Sequence, residues 1–347
     1  MLNGHGGEGD RPVSRALTRR TALTGVLAAP MISRFAHAAE FTWRFGHVAP
    51  NDAPLHRRMV EAAEAVAKRS EGRMEIRIIG EGQAGIQSGL FAQVRGGGLE
   101  MTFVSGAQLT PLLGLAELPS LGFLFDTYTK LWSAMDGAFG QAIREQIPRQ
   151  VGVDVLEKPW DLGFRHVTTT DHAIRTAEDL KNLKIRTQID EVQMDMFRSL
   201  DAIPVVITLP YLRAALEHRQ LDGQEGILPL VEYARLQEVQ KYCAMTRHAW
   251  DGFWVCVNPD AWKTLPERLR GIVANAMNGA AVRQREDTAR KETSTRQALS
   301  GAGMTFTEVD TAGFRDMLRQ RGYYARARAK FGEPVWDVVR KASGVTA

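Results

Sequence analysis

Gly163-Phe164-Arg165-His166-Val167-Thr168, Leu180-Lys181-Asn182-Leu183-Lys184-Ile185-Arg186-Thr187 and Leu221-Asp222-Gly223-Gln224-Glu225-Gly226 are the stretches from which the architecture can be read. The first reads as a strand with an arginine between polar neighbours. The second ends in a buried strand over 184–187. A helix is predicted over 192–200, a strand over 203–207 and a helix over 210–219. The third stretch is a tight turn that leads into a short strand. Strands alternating with helices in this way predict an α/β fold with a substantially parallel sheet.

The same alternation extends upstream. Phe41, Trp43 and Phe45 alternate in a strand over 41–48, and an alanine-rich helix follows over 59–68. Met-Glu-Ile-Arg-Ile-Ile over 74–79 is a second strand. A glycine-rich segment over 80–89, a helix beginning at 90–94 and a buried strand over 101–104 come next. Downstream, Trp254-Val255-Cys256-Val257 reads as a buried strand returning the chain to the first half. No proline interrupts the sequence from 267 to 300. A helix of that extent would be about 50 Å long, enough to reach across two domains. A length of 347 residues itself suggests two domains.

Residues 1–38 carry three of the four net positive charges. Arg19-Arg20 precede a mildly apolar stretch, 22–32, too short for the ~20 residues of a membrane span. Ala36-His37-Ala38 supplies a small-x-small pattern. The expectation is a twin-arginine export signal cleaved after Ala38, which delivers the mature chain to the periplasm. The remaining chain is nearly neutral, which gives no electrostatic case for a nucleic-acid or membrane partner. Hydrophobic residues at 44% and charged residues at 24% are ordinary for a globular protein. Two cysteines, Cys243 and Cys256, exclude a disulfide scaffold and a four-cysteine zinc site. They read as two packed thiols.

Catalytic and cofactor signatures are missing. There is no phosphate-binding glycine motif, no His-Glu-x-x-His and no calcium loop, and the eight histidines lack metal-ligand spacing. The expectation is no metal, no cofactor and no chemistry on the ligand. What remains is Arg165 and Arg186, each at a strand of an α/β sheet. Ligands bind at the carboxyl ends of such strands. A guanidinium there can donate two parallel hydrogen bonds to a carboxylate.

These three stretches, with Gly82-Gln83-Ala84-Gly85, Glu117-Leu118-Pro119 and Asn258-Pro259-Asp260-Ala261-Trp262, resemble the solute-binding subunits of TRAP transporters, the tripartite ATP-independent periplasmic class. The resemblance covers the mature chain. It implies a type II-like periplasmic binding protein, with two α/β domains joined by hinge strands and spanned by a long helix. The corresponding layout is domain I over 39–162 and 251–290, and domain II over 163–250 and 291–347. It implies a small organic-acid ligand, TRAP membrane subunits as partners, and a monomer. Arg186 corresponds to the family's carboxylate anchor and Arg165 to a further polar contact. Trp160 falls where an aromatic wall is common, and Gln83 in a loop that borders the cleft. Gly226 replaces the family's usual asparagine, while Arg213 and Arg219 replace a tyrosine and a glycine. Gly226 and Trp160 together suggest room for a monocarboxylate with a bulky or aromatic body rather than a C4 dicarboxylate. Service to an ABC-type transporter or a sensor kinase, and an enzyme on the same frame, are the alternatives.

Overall fold

Alternating burial sets the first strand. In β1 (Phe41–Gly46), Trp43 and Phe45 face inward while Thr42 and Arg44 face solvent. β2 (Met74–Ile79) and β3 (Met101–Ser105) pair with it in parallel, one on each side. A second parallel set forms around β6 (Lys184–Thr187), flanked by β7 (Ile203–Val206) and β8 (Gly223–Ile227). The computed structural model describes residues 38–346, and the expected export signal lies outside them.

Two antiparallel strands join the parallel sets. β5 (Trp160–Thr169) pairs with β8, and β9 (Tyr242–Val257) runs between β5 and β3. The sheet order is β2-β1-β3-β9-β5-β8-β6-β7. The short β4 (Asp154–Val155) and β10 (Thr305–Glu308) pair with opposite ends of β9. Sixteen residues of strand extend for roughly 50 Å, so β9 belongs to both sheet halves. Its register with β5 slips twice, between Asp161 and Gly163 and between Arg165 and Val167. Gly163 takes φ +115 at the first slip, a conformation open to glycine. At Gly252 the Trp250 ring folds back over the backbone, and a Cβ there would stand 2.2 Å from it.

The uninterrupted stretch after Pro266 is a helix, Glu267–Gly301, of 35 residues. It packs on the helix Pro54–Arg69, on β5 and on the helix Leu228–Tyr233, and so spans both halves. Under the first half, Trp43, Phe45, Met59 and Val66 pack against Val273 and Met277. The last helix, Glu333–Ser343, packs on Tyr128–Met135 and Ala138–Arg144, which lie in the range expected for domain I, although its own range was expected in domain II. Trp336 and Val339 carry it into the same core as Phe139. Cys243 and Cys256 are buried free thiols near opposite ends of β9, about 40 Å apart by strand rise and beyond disulfide reach. Among the described residues, no helix is long and apolar enough to cross a membrane.

Candidate functional site

The parallel strands deliver their carboxyl ends to one cavity of about 880 Å³. Val48 follows β1, Ser105 to Gln108 follow β3, Arg186 to Asp190 end β6, and Val206 to Thr208 end β7. Trp250 to Trp254, from the middle of β9, form the remaining wall. A second hollow of about 990 Å³ shares Leu162 and Phe253 with it and is bordered by Ala49 to Arg57, Ile227 to Tyr233 and the long helix.

Arg186 is 6% exposed. Its Nε donates to the Ile207 carbonyl at 2.8 Å. Among the described residues, no carboxylate pairs with it and its two terminal amino groups have no hydrogen-bond partner. Burial lowers its pKa from the ordinary arginine value, with Glu225 acting against the shift and Arg165 adding to it. A buried guanidinium in that state is incomplete without an anion.

Arg165 is in the opposite condition. Its Nε and Nη2 fork onto Glu225 at 2.5 and 2.8 Å, and Nη1 donates to Asp251 at 2.7 Å. The Gln188 amide, turned with its oxygen toward the guanidinium, accepts from Nη1 at 2.6 Å and Nη2 at 2.8 Å. An arginine has five N–H groups, and these contacts use all of them. With Gln188 so turned, every N–H of Arg165 is engaged within the protein. Burial pulls its pKa down, but Glu225 more than restores it, and the net shift is upward. For Glu225 burial is likewise outweighed, by Arg165 and by His248 at 3.4 Å, and its carboxyl lies well below the usual range.

Trp160 does not line the cavity. It is fully buried, and its ring meets Phe103 edge-on at 5.1 Å between centroids. β5 is covered on both faces here, so an aromatic residue near its start packs into the core. The aromatic wall comes from Trp250, Phe253 and Trp254 instead. Gln83 is exposed and outside the wall, while Ile86, Gln87 and Ser88, just beyond it, are in it. Gly226 opens no volume. A Cβ there would sit 3.1 Å from both Gln224 Oε1 and Leu230 Cδ2, and the residue does not border the cavity. Arg213 pairs with Glu217 and Glu238, and Arg219 with Asp171, all at the surface.

Two acidic residues of the wall escaped the sequence reading. Asp190 caps the helix Glu191–Ser199 by accepting from the Gln193 amide at 3.0 Å, and it also accepts from Ser120 Oγ at 2.8 Å. Its burial pushes its carboxyl up to about 6. An aspartate just before an apolar-periodic helix is an N-cap signal that could have drawn attention to it. Asp251 carried no such signal. Thr187 and Gln193, also in the wall, each hold a buried side-chain oxygen that lacks a partner among the described residues.

A family model, bacterial extracellular solute-binding protein, family 7, matches residues 45–326. A protein of Sinorhizobium fredii is 30% identical over 88% of this chain, and the match spans 57% of that protein's length. A TRAP periplasmic solute-binding protein of Ochrobactrum anthropi, whose C-terminus is bound in its ligand-binding pocket, superposes with a TM-score of 0.84 at 27% identity, covering 89% of this chain and 96% of its own. Another from Polaromonas, bound to D-erythronate, gives 0.77 at 25% identity, covering 88% and 99%.

Proposed function

The chain belongs to family 7 of the bacterial extracellular solute-binding proteins, and on that footing we propose that it is the periplasmic capture subunit of a TRAP transporter, holding an organic acid by its carboxylate on Arg186. The observation that carries this reading is a buried guanidinium, without a carboxylate partner among the described residues, in a cavity at the carboxyl ends of four strands. Such a group recognises a carboxylate through its planar fork and loses its burial penalty when it does. The D-erythronate bound to the Polaromonas relative supports a hydroxylated acid as the ligand class.

Capture consists of binding and closure, without turnover. Val48 and Ile86 stand at one lip of the cavity, Ile189 and Val206 at the other, and all four are exposed, Ile86 by 74% and Ile189 by 76%. The sheet halves pivot on β5 and β9, and the lips meet over the ligand. Each 100 Å² of apolar surface so covered favours the closed form by about 2.5 kcal/mol. That form is what the membrane subunits receive.

The test is a thermal-shift and calorimetric panel of D-erythronate, longer aldonates and succinate, with the bound ligand then released and weighed. Arg186-dependent binding of an acid recovered unchanged supports the reading. Failure of every organic acid to bind, or recovery of a converted product, overturns it.

A further inference from the structure

Among the described residues, three charged side chains line the cavity that holds Arg186: Arg186 itself, Asp190 and Asp251. Behind the wall, Arg165 and Glu225 close on each other, so their charges cancel locally. Asp251 completes that closure. Its Oδ2 accepts from the Arg165 Nη1 N–H that Glu225 and Gln188 leave over. Its carboxylate is nevertheless 25% exposed on the cavity wall, and Oδ1 has no donor among the described residues. A ligand lying along the wall thus meets one available cation and, elsewhere, an anion with a free acceptor.

Resting on the assignment of the ligand carboxylate to Arg186, we infer that Asp251 is a specificity-determining residue that restricts the cavity to singly charged acids. It occupies the N–H through which Arg165 could take a second carboxylate, and it opposes that carboxylate with its own charge. A hydroxyl satisfies the same place, because it can donate to Asp251 Oδ1. The ligand class is therefore a hydroxylated monocarboxylate. A diacid of the same skeleton is rejected because its second charge finds no cation. An aromatic acid desolvates Asp251 Oδ1 without supplying it a donor.

Matched pairs of acids test this directly. D-Erythronate and meso-tartrate share a four-carbon skeleton, D-galactonate and galactarate a six-carbon one, and each pair differs by one terminal carboxylate. Calorimetry at pH 7.5 on the wild type should favour the monoacid of the better-binding pair by about 30-fold or more. Asp251→Asn, which keeps the side chain's shape, should narrow that ratio by about tenfold, chiefly by improving the diacid. Arg186→Ala should lose both. Equal binding of monoacid and diacid to the wild type, both dependent on Arg186, overturns the assignment to Asp251 and leaves the proposed function standing. An unchanged ratio in Asp251→Asn, with an unaltered ligand-free melting temperature, does the same. Absence of Arg186-dependent binding by any of the four acids overturns the inferred ligand class, and the proposed function falls with it only where the wider organic-acid panel also fails.

Discussion

Replacing Arg186 by alanine should separate ligand binding from folding, and the contrast with Arg165 makes the separation measurable. Among the described residues Arg186 makes one hydrogen bond, from Nε to the Ile207 carbonyl. Both terminal amino groups remain to grip a carboxylate. Two charge-assisted hydrogen bonds at ~1.5–3 kcal/mol each amount to about 3–6 kcal/mol. The expected loss in affinity is on the order of 10²- to 10⁴-fold. Arg186→Lys keeps the charge but not the fork, so it should lose about one of those bonds, or roughly 10- to 150-fold. Neither change strips a carboxylate of its partner, so the ligand-free melting temperature should stay at or above the wild-type value. Arg165→Ala leaves Glu225, which has no exposed side chain, without its partner. That should cost about 3–5 kcal/mol, or roughly 5–15 °C in melting temperature. Isothermal and scanning calorimetry on the three variants check both halves of the argument. Arg186→Ala binding within threefold of wild type would refute the anchor, as would Arg186→Ala melting as early as Arg165→Ala.

Affinity for a carboxylate should rise as pH falls from 7.5 to 5.5. Asp190 shares the cavity with the ligand and titrates near 6 because of its burial, with Glu117 and Glu225 adding to the upward push. An incoming anion favours its protonated form, so binding takes up a proton, and Asp190→Asn should flatten the profile. Asp161, on β5, is held near 7 by burial against an unfolded value near 4. A carboxyl whose folded pKa is raised contributes stability that is complete below its unfolded value and is lost as pH climbs to its folded one. Asp161's contribution should therefore be lost as pH climbs from about 4 to about 7, on the order of 4 kcal/mol over that interval. Asp161→Asn, which retains an acceptor for Trp250 Nε1, should reduce that loss, and a scan of melting temperature against pH measures it. Saturating acid should also shrink the radius of gyration in small-angle scattering, and Ile189→Glu at the lip should weaken the compaction.

The fold was legible wherever local pattern and burial agreed. Met74–Ile79 and Lys184–Thr187 are strands as expected, and the proline-free run after Pro266 is one long helix. β9 was recognised only in its last residues. Its middle, His248-Ala249-Trp250-Asp251-Gly252, is buried on both sides or turned into a cavity and lacks the alternation that marks a half-buried strand. The site divided along the same line. Arg186 and Arg165 drew attention together as arginines on strands, and only the family resemblance set Arg186 apart as the anchor. The engagement of Arg165 could not be read from the sequence, because Asp251 and Glu225 lie 86 and 60 residues away and meet it only through the pairing of β5 with β8 and β9. The surroundings of Trp160 and Gly226 were not legible either: β5 is covered on both faces at Trp160, and Gly226 lies against Gln224 and Leu230, neighbours that only the folded sheet brings there.

The knot around Arg165 has a consequence for how such a protein can diversify. Arg165 and Glu225 are locked together, because altering either alone strands the other's charge in the interior. A change of ligand through that pair needs two substitutions, and each single-step intermediate should be destabilised by about 3–5 kcal/mol. Asp251 and Gln188 hold the same guanidinium from the cavity side, and losing either leaves the Arg165–Glu225 fork intact. The mutational paths that preserve the fold therefore run through the rim of the knot. New ligand preferences should arise first at 251 and 188, while 165 and 225 stay fixed as a frozen pair.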